Sequence, residues 1–169
     1  MGEVTREHED LEVGVLRAHQ AALHDRYRDW NAYKVATPGE WDEWDREERL
    51  ELPVHQVLFR PADSPHPDPW EPSYDERQFF LNDAEHGIWT SRRDPRITLH
   101  LRQVAQRTAD GIPIVAPEIQ LLYKAKHAGR KDEHDFRLVV DSITGARRKW
   151  LRDALELVHP GHRWIQALP

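Results

Sequence analysis

The chain has 169 residues, with 24 Lys or Arg against 30 Asp or Glu and a formal net charge of −6. A mean hydropathy of −0.82 and the lack of any apolar run near ~18 residues exclude a spanning helix, and zero cysteines exclude disulfide frameworks, thiolate zinc sites and cysteine nucleophiles. The acidic balance argues against nonspecific nucleic-acid binding, and the charged opening Met1-Gly2-Glu3-Val4-Thr5-Arg6 carries no apolar export stretch, so a cytoplasmic protein is expected.

No internal repeat and no long low-complexity tract interrupts the chain, which reads as a single domain over 1–169: mixed strands and helices to about 115, then helices over 116–169. Leu11 to Leu16 alternates and is β-branched, predicting a strand. Arg17 to Trp30 carries Ala18, Ala21, Ala22 and Tyr27 among charged residues and predicts an amphipathic helix that Asn31 breaks. A second strand is expected over 32–36, and the acid-rich Trp41 to Glu48 reads as a solvated loop or short helix. Val54 to Phe59 alternates as a strand. Prolines at 61, 65, 67, 69 and 72 then enforce a loop. Glu76 to Asn82 and Ile88 to Arg92 predict a hairpin turning near Asp83 to Gly87, and Ile112 to Val115 a further strand. Pro117 suits the first turn of a helix through Ile119, Leu121, Leu122 and Ala125. Asp132 to Val140 predicts another, and Thr144 can cap a third that His159-Pro160-Gly161 ends. Strands first and helices last is the α+β order, not that of a doubly wound parallel sheet.

Several side chains in this frame can carry chemistry. Asp10 and Glu12, two apart at a strand entry, direct both carboxylates to one face with Cα atoms ~6.5 Å apart, which suits a hard cation; a solvated strand end is the ordinary alternative. Lys124, Lys126, Arg130 and Lys131 form a local positive group that suits an anionic ligand or simply a solvated helix face. Asp132 and Asp135 read as capping or salt-bridging groups. His159 and His162 are three apart around a turn, without a third zinc ligand at a fixed spacing. Trp41, Trp44 and Trp70 fall where an acceptor could stack, whereas Trp89, Trp150 and Trp164 read as core.

The run Thr5-Arg6-Glu7-His8-Glu9-Asp10-Leu11-Glu12 resembles the T-R-x-H-x-D-[IL]-[DE] motif of the aminoglycoside 2''-adenylyltransferase-like family, a branch of the nucleotidyltransferase superfamily. Pro117-Glu118-Ile119-Gln120-Leu121-Leu122-Tyr123-Lys124, Lys131-Asp132-Glu133-His134-Asp135 and His159-Pro160-Gly161-His162 are similar to its P-E-x-x-L-L-x-K helix, K-D-x-x-D turn and usual ending. Thr108 to Pro113 is similar as well, and the likeness is weakest over residues 37 to 75. The resemblance implies an α+β nucleotidyltransferase-like fold, a mixed sheet with flanking helices. It implies transfer of AMP from Mg-ATP to a hydroxyl of a small, aminoglycoside-like acceptor. Asp10 and Glu12 would bind Mg²⁺, and Lys124 and Lys131 the ATP phosphates. The acidic stretch Glu40 to Glu51 fits a cationic acceptor electrostatically; neither nucleic acid nor membrane is an expected partner.

Two departures from the family's pattern stand beside this. Its Gly-Gly turn has no counterpart in the four residues before Thr5. A missing first strand would leave a sheet edge open to pairing with another chain. The third carboxylate of the superfamily aligns with Gln78, which cannot take a proton, so Glu76, two residues earlier on the same face, is the expected catalytic substitute. Together they raise the alternative of a degenerate, non-catalytic member that binds a nucleotide or a protein partner.

Overall fold

The computed structural model describes residues 11–37, 40–64 and 75–168. The protein is α+β, with a mixed sheet followed by a small two-stranded sheet and helices. It forms two compact units, one ending at Arg92 and the other running from Arg93 onward, whereas the composition of the chain changes character only near residue 115.

The first unit holds β1 (Val13–Leu16), α1 (Ala21–Arg26), β2 (Trp30–Lys34), β3 (Asp42–Glu43), β4 (Gln56–Pro61), β5 (Arg77–Glu85) and β6 (Ile88–Thr90). Its strands run β3-β2-β4-β5-β6, and β1 adds to β5 in parallel with Val13 opposite Phe79 and Leu16 opposite Asn82. The neighbours β2–β4, β4–β5 and β5–β6 are antiparallel. β4 is central because its run Val57-Leu58-Phe59 is apolar on both faces, and all three side chains are fully buried. Val57, Phe59, Phe79 and Leu81 cover one face of the sheet and pack with Leu23, Trp44 and Leu50. Phe59 sits among aromatic rings at 5.1 Å from Tyr27, 5.8 Å from Trp44 and 6.0 Å from Phe79. Tilted and edge-on contacts of this kind add to the burial of their area.

That aromatic cluster overturns the long helix expected over Arg17 to Trp30. A 3-10 turn at Arg17–His19 and the short α1 take only its first part. Tyr27 and Trp30 are drawn into the sheet core, and β2 starts at Trp30. Asn31 therefore pairs with Arg60 inside the sheet instead of ending a helix. Aromatic residues gain more on a half-buried pleated surface than on a solvated helix. The acid-rich stretch after it is not fully solvated either. Trp44, one of the side chains placed for acceptor stacking, is only 3% exposed and donates through Nε1 to the Glu48 carbonyl at 3.0 Å. It is a core residue.

The hairpin of β5 and β6 forms where expected, turning through His86 and Gly87, both with positive φ. The prolines at 65, 67, 69 and 72 lie outside the described residues.

In the second unit, β7 (Thr98–His100) leads into α2 (Leu101–Val104), and β8 (Ala105–Arg107) pairs antiparallel with β9 (Pro113–Val115). The turn between them places Gly111 at φ 81°. The Thr108 hydroxyl there accepts from the Ile112 N–H. α3 (Pro117–Lys124), α4 (Arg130–Val139) and α5 (Gly145–Val158) follow. Ile119, Leu121, Leu122, Phe136, Leu151 and Leu155 are buried, and Trp164 stacks on Phe136 at 4.5 Å and 10°. α3 starts at Pro117 because proline's fixed φ suits the first helical position and its missing N–H is needed by no partner there. α5 stops at His159-Pro160-Gly161, with Gly161 at φ 80°.

Candidate functional site

In the first unit the sheet sorts its side chains by alternation. The residues between the core-facing ones, Gln56, Leu58 and Arg60 on β4 and Gln78, Phe80 and Asn82 on β5, take the opposite face. Glu76 stands one residue before β5, on the side of Gln78. The Arg60 guanidinium, 1% exposed, donates from Nη2 to Glu76 Oε2 at 2.6 Å. Gln78 Nε2 donates to the other oxygen, Oε1, at 2.9 Å. Gln56 Nε2 in turn donates to Gln78 Oε1 at 3.4 Å. Glu76, the expected base, is thus hydrogen-bonded at both carboxylate oxygens. Arg60 was not among the residues singled out from the sequence, although an arginine closing an apolar strand invites a search for an acid on the neighbouring one.

Glu12 lies just before β1 and is exposed. Counting back one residue from the Val13–Phe79 pair brings it level with Gln78. Asp10, like Thr5 and His8, lies outside the described residues. Among the described residues no group of three or more His, Asp or Glu side chains could hold a metal ion. The donor set on this strand suits Mg²⁺ only in its usual form of one or two carboxylates completed by phosphate oxygens.

A different polar knot lies a few residues along the same two strands. Arg17, 4% exposed, donates from Nε and Nη2 to the two oxygens of Asp83 at 2.6 and 3.1 Å and from Nη1 to the Val54 carbonyl at 2.6 Å. Gln20 bonds both the N–H and the C=O of Leu50. These bonds tie the segment before β4 to the 3-10 turn and leave no group open for chemistry. In the acidic stretch proposed for a cationic acceptor, Glu48 is paired with Lys34 and Glu51 with Arg49.

In the second unit, Lys124 at the end of α3 points its Nζ at Asp132 and Asp135 of α4, at 3.1 and 3.0 Å. Burial works to lower the Lys124 pKa, and the hydrogen bonds to Asp135 and Asp132 outweigh it, so the ammonium titrates above its ordinary 10.5. Asp132 also accepts from the Gly129 N–H at 2.9 Å, capping α4. Lys124, the expected phosphate ligand, therefore locks α3 to α4, and Lys131 is exposed in the first turn of α4.

His159 and His162 lie close together at the end of α5. His162 Nδ1 accepts from the Trp164 N–H at 3.2 Å, and its ring centroid is 6.3 Å from that of His159. Burial is the main cause holding both pKa values below the ordinary 6.5.

No family model matches the chain, and no curated protein or solved structure does. The site is therefore read from its own geometry. No helix among the described residues is long and apolar enough to cross a membrane.

Proposed function

We propose that the protein is a Mg²⁺-dependent nucleotidyltransferase that moves AMP from ATP to a hydroxyl of a small, cationic, aminoglycoside-like acceptor. The observation that carries this reading is the parallel pairing of β1 with β5. It sets the strand that Glu12 precedes beside the strand that Glu76 precedes and that carries Gln78. Two neighbouring strands that bring carboxylates to one end of a sheet give a phosphoryl-transfer site the anchors its cation needs. Bound there, Mg²⁺ would neutralise the charge on the phosphates. Asp10 and Glu12 are the residues that would hold it. Glu76 would accept the proton of the attacking hydroxyl, and to do so it must exchange its bond from Gln78 for one from the acceptor. Lys131, exposed in the first turn of α4, and Lys124 would contact the phosphates, and Lys124 would have to leave two carboxylates first.

One specific observation favours a second reading, a non-catalytic nucleotide-binding or protein-binding domain. Gln78, not an acid, stands level with Glu12, and Arg60 and Gln78 already engage both oxygens of Glu76.

Calorimetric titration of ATP with and without Mg²⁺, on the wild type and on Asp10→Ala/Glu12→Ala, separates these readings. Binding that requires Mg²⁺ and disappears in the double variant supports the transferase and leads to transfer of labelled AMP onto a panel of aminoglycosides. Absence of ATP binding by the folded wild type removes the catalytic reading. Mg²⁺-dependent binding without transfer, unchanged by Glu76→Gln, favours the non-catalytic one.

A further inference from the structure

The second unit carries a cleft of about 480 Å³ lined by Ala128, Gly129, Arg130, Glu133, His134, Arg137 and Arg163. Arg130, His134 and Arg137 are spaced i, i+4, i+7 and so share one face of α4, spread over about 10 Å at the helical rise. Asp132 and Asp135 fall on the opposite face, where Lys124 holds them. α4 thus keeps its cations and most of its anions apart. The remaining acid of the cleft, Glu133, is engaged by the Arg163 guanidinium and by Trp164 Nε1 at 2.8 Å. Among the described residues, no carboxylate within 4 Å pairs with Arg130 or Arg137, and Arg137 acts on Glu133 only through its field.

We propose that this cleft binds a linear condensed phosphate, with Arg130 and Arg137 gripping successive phosphates and His134 between them. Guanidinium groups meet phosphate oxygens through two parallel N–H bonds, and a row of them over about 10 Å matches a short phosphate chain. The volume is of small-ligand size. The lining lacks the Phe, Tyr or Trp platforms on which single-stranded nucleic acid stacks its bases, and lacks the apolar anchors that hold a peptide. The Gly129 N–H is already taken by Asp132, so the attraction comes from the side chains and not from the helix end. This site is independent of the Asp10 and Glu12 reading, and neither depends on the other.

The test is titration of tripolyphosphate, in EDTA at low salt, into the wild type, Arg130→Ala/Arg137→Ala and a charge-matched control on the first unit, Arg26→Ala/Arg28→Ala. Saturable binding that weakens at least about tenfold in the cleft variant, stays within about twofold in the control and weakens with salt is expected. Arg137→Lys keeps the charge without the fork and should fall between. All these side chains are exposed, and circular dichroism melts establish that the variants fold. No saturable binding, or equal loss in the cleft variant and the control, overturns the proposal. Tighter binding of a single-stranded oligonucleotide than of tripolyphosphate overturns it in favour of a nucleic-acid surface. ATP binding as tightly as tripolyphosphate, with the same loss in the cleft variant, assigns the phosphate to a nucleotide; tripolyphosphate binding alone assigns it to an inorganic chain. Repeating the titration on Asp10→Ala/Glu12→Ala, where no change is expected, separates this result from the fate of the proposed Mg²⁺ site.

Discussion

The two units of the molecule handle charge in opposite ways. In the first, ionised groups are taken inside and paired: Arg17 reaches Asp83 and a backbone carbonyl, and Arg60 reaches Glu76, with both arginines at 4% exposure or less. In the second, the buried core is almost wholly apolar, apart from Glu118, which accepts from Arg147 at 3.0 Å. Its remaining charge lies on the surface, where Lys124 is pinned between α3 and α4, Lys149 pairs with Asp153 on α5, and the cleft carries Arg130 and Arg137 beside the Glu133–Arg163 pair. Buried pairs fix geometry because breaking them leaves an uncompensated charge, and exposed cations are cheap to leave available for a ligand. Rigidity in this chain is therefore sought around the sheet, and anion recognition around the helices.

The largest expected effect breaks the first half of that comparison. Arg17→Met removes a buried guanidinium and strands Asp83 and the Val54 carbonyl, and should destabilise the protein by about 3–5 kcal/mol in urea denaturation. A loss below about 1 kcal/mol would mean that the knot is not a fixed element of the first unit.

Acidification probes both units at once. His24 and His55 in the first, His159 and His162 in the second, all have pKa values held below the ordinary 6.5, in each case chiefly by burial. As pH falls through 6.5 the unfolded chain takes up protons that the folded protein resists, so stability is full above that pH and declines below it. Urea midpoints at about pH 7.5 and about pH 5.5 should show the fall, and His24→Leu should reduce it. His24 is the informative choice because its ring lies 4.2 Å from that of Trp44 and its Nε2 is buried without a hydrogen bond among the described residues. A midpoint that rises on acidification contradicts the sign.

The smallest effect sharpens the second half. Lys149→Ala opens an exposed i, i+4 pair with Asp153 on α5 and should change stability by no more than about 0.5 kcal/mol. A larger change would show that surface charge in the second unit is structural after all, and would weaken the case for a cleft whose cations are held in reserve.

Some of this was legible in the residues alone because the signals act within a turn or two. Pro117 opens α3, Gly161 follows the end of α5 and Gly87 turns the β5–β6 hairpin, whereas Thr144 stands at the N-cap of α5 without the side-chain hydrogen bond expected of it. The proline and the two glycines each work through their own φ or their own hydrogen-bonding groups, with no distant partner needed. The i, i+4, i+7 row of Arg130, His134 and Arg137 was equally visible in the spacing, but only the position of Asp132 and Asp135 under Lys124 shows that the acids of the same helix are occupied elsewhere.

The α+β class, the start of α3 at Pro117, the end of α5 at His159-Pro160-Gly161 and the strand after Glu12 follow from composition and spacing, since local backbone chemistry decides them, whereas α2 and the start of α4 at Arg130 were not legible there. The fate of Arg17 to Trp30, the burial of Trp44 and the pairing of Glu76 with Arg60 depend on which strands become neighbours. A helical pattern of modest propensity yields when Tyr27 can pack its ring against Phe59 and Trp30 its ring against Tyr27 at the edge of the same cluster. Glu76, read in the sequence as the catalytic carboxylate, is claimed when the β4–β5 register brings a buried guanidinium beside it. Those outcomes belong to the tertiary structure, because only long-range packing supplies the partners.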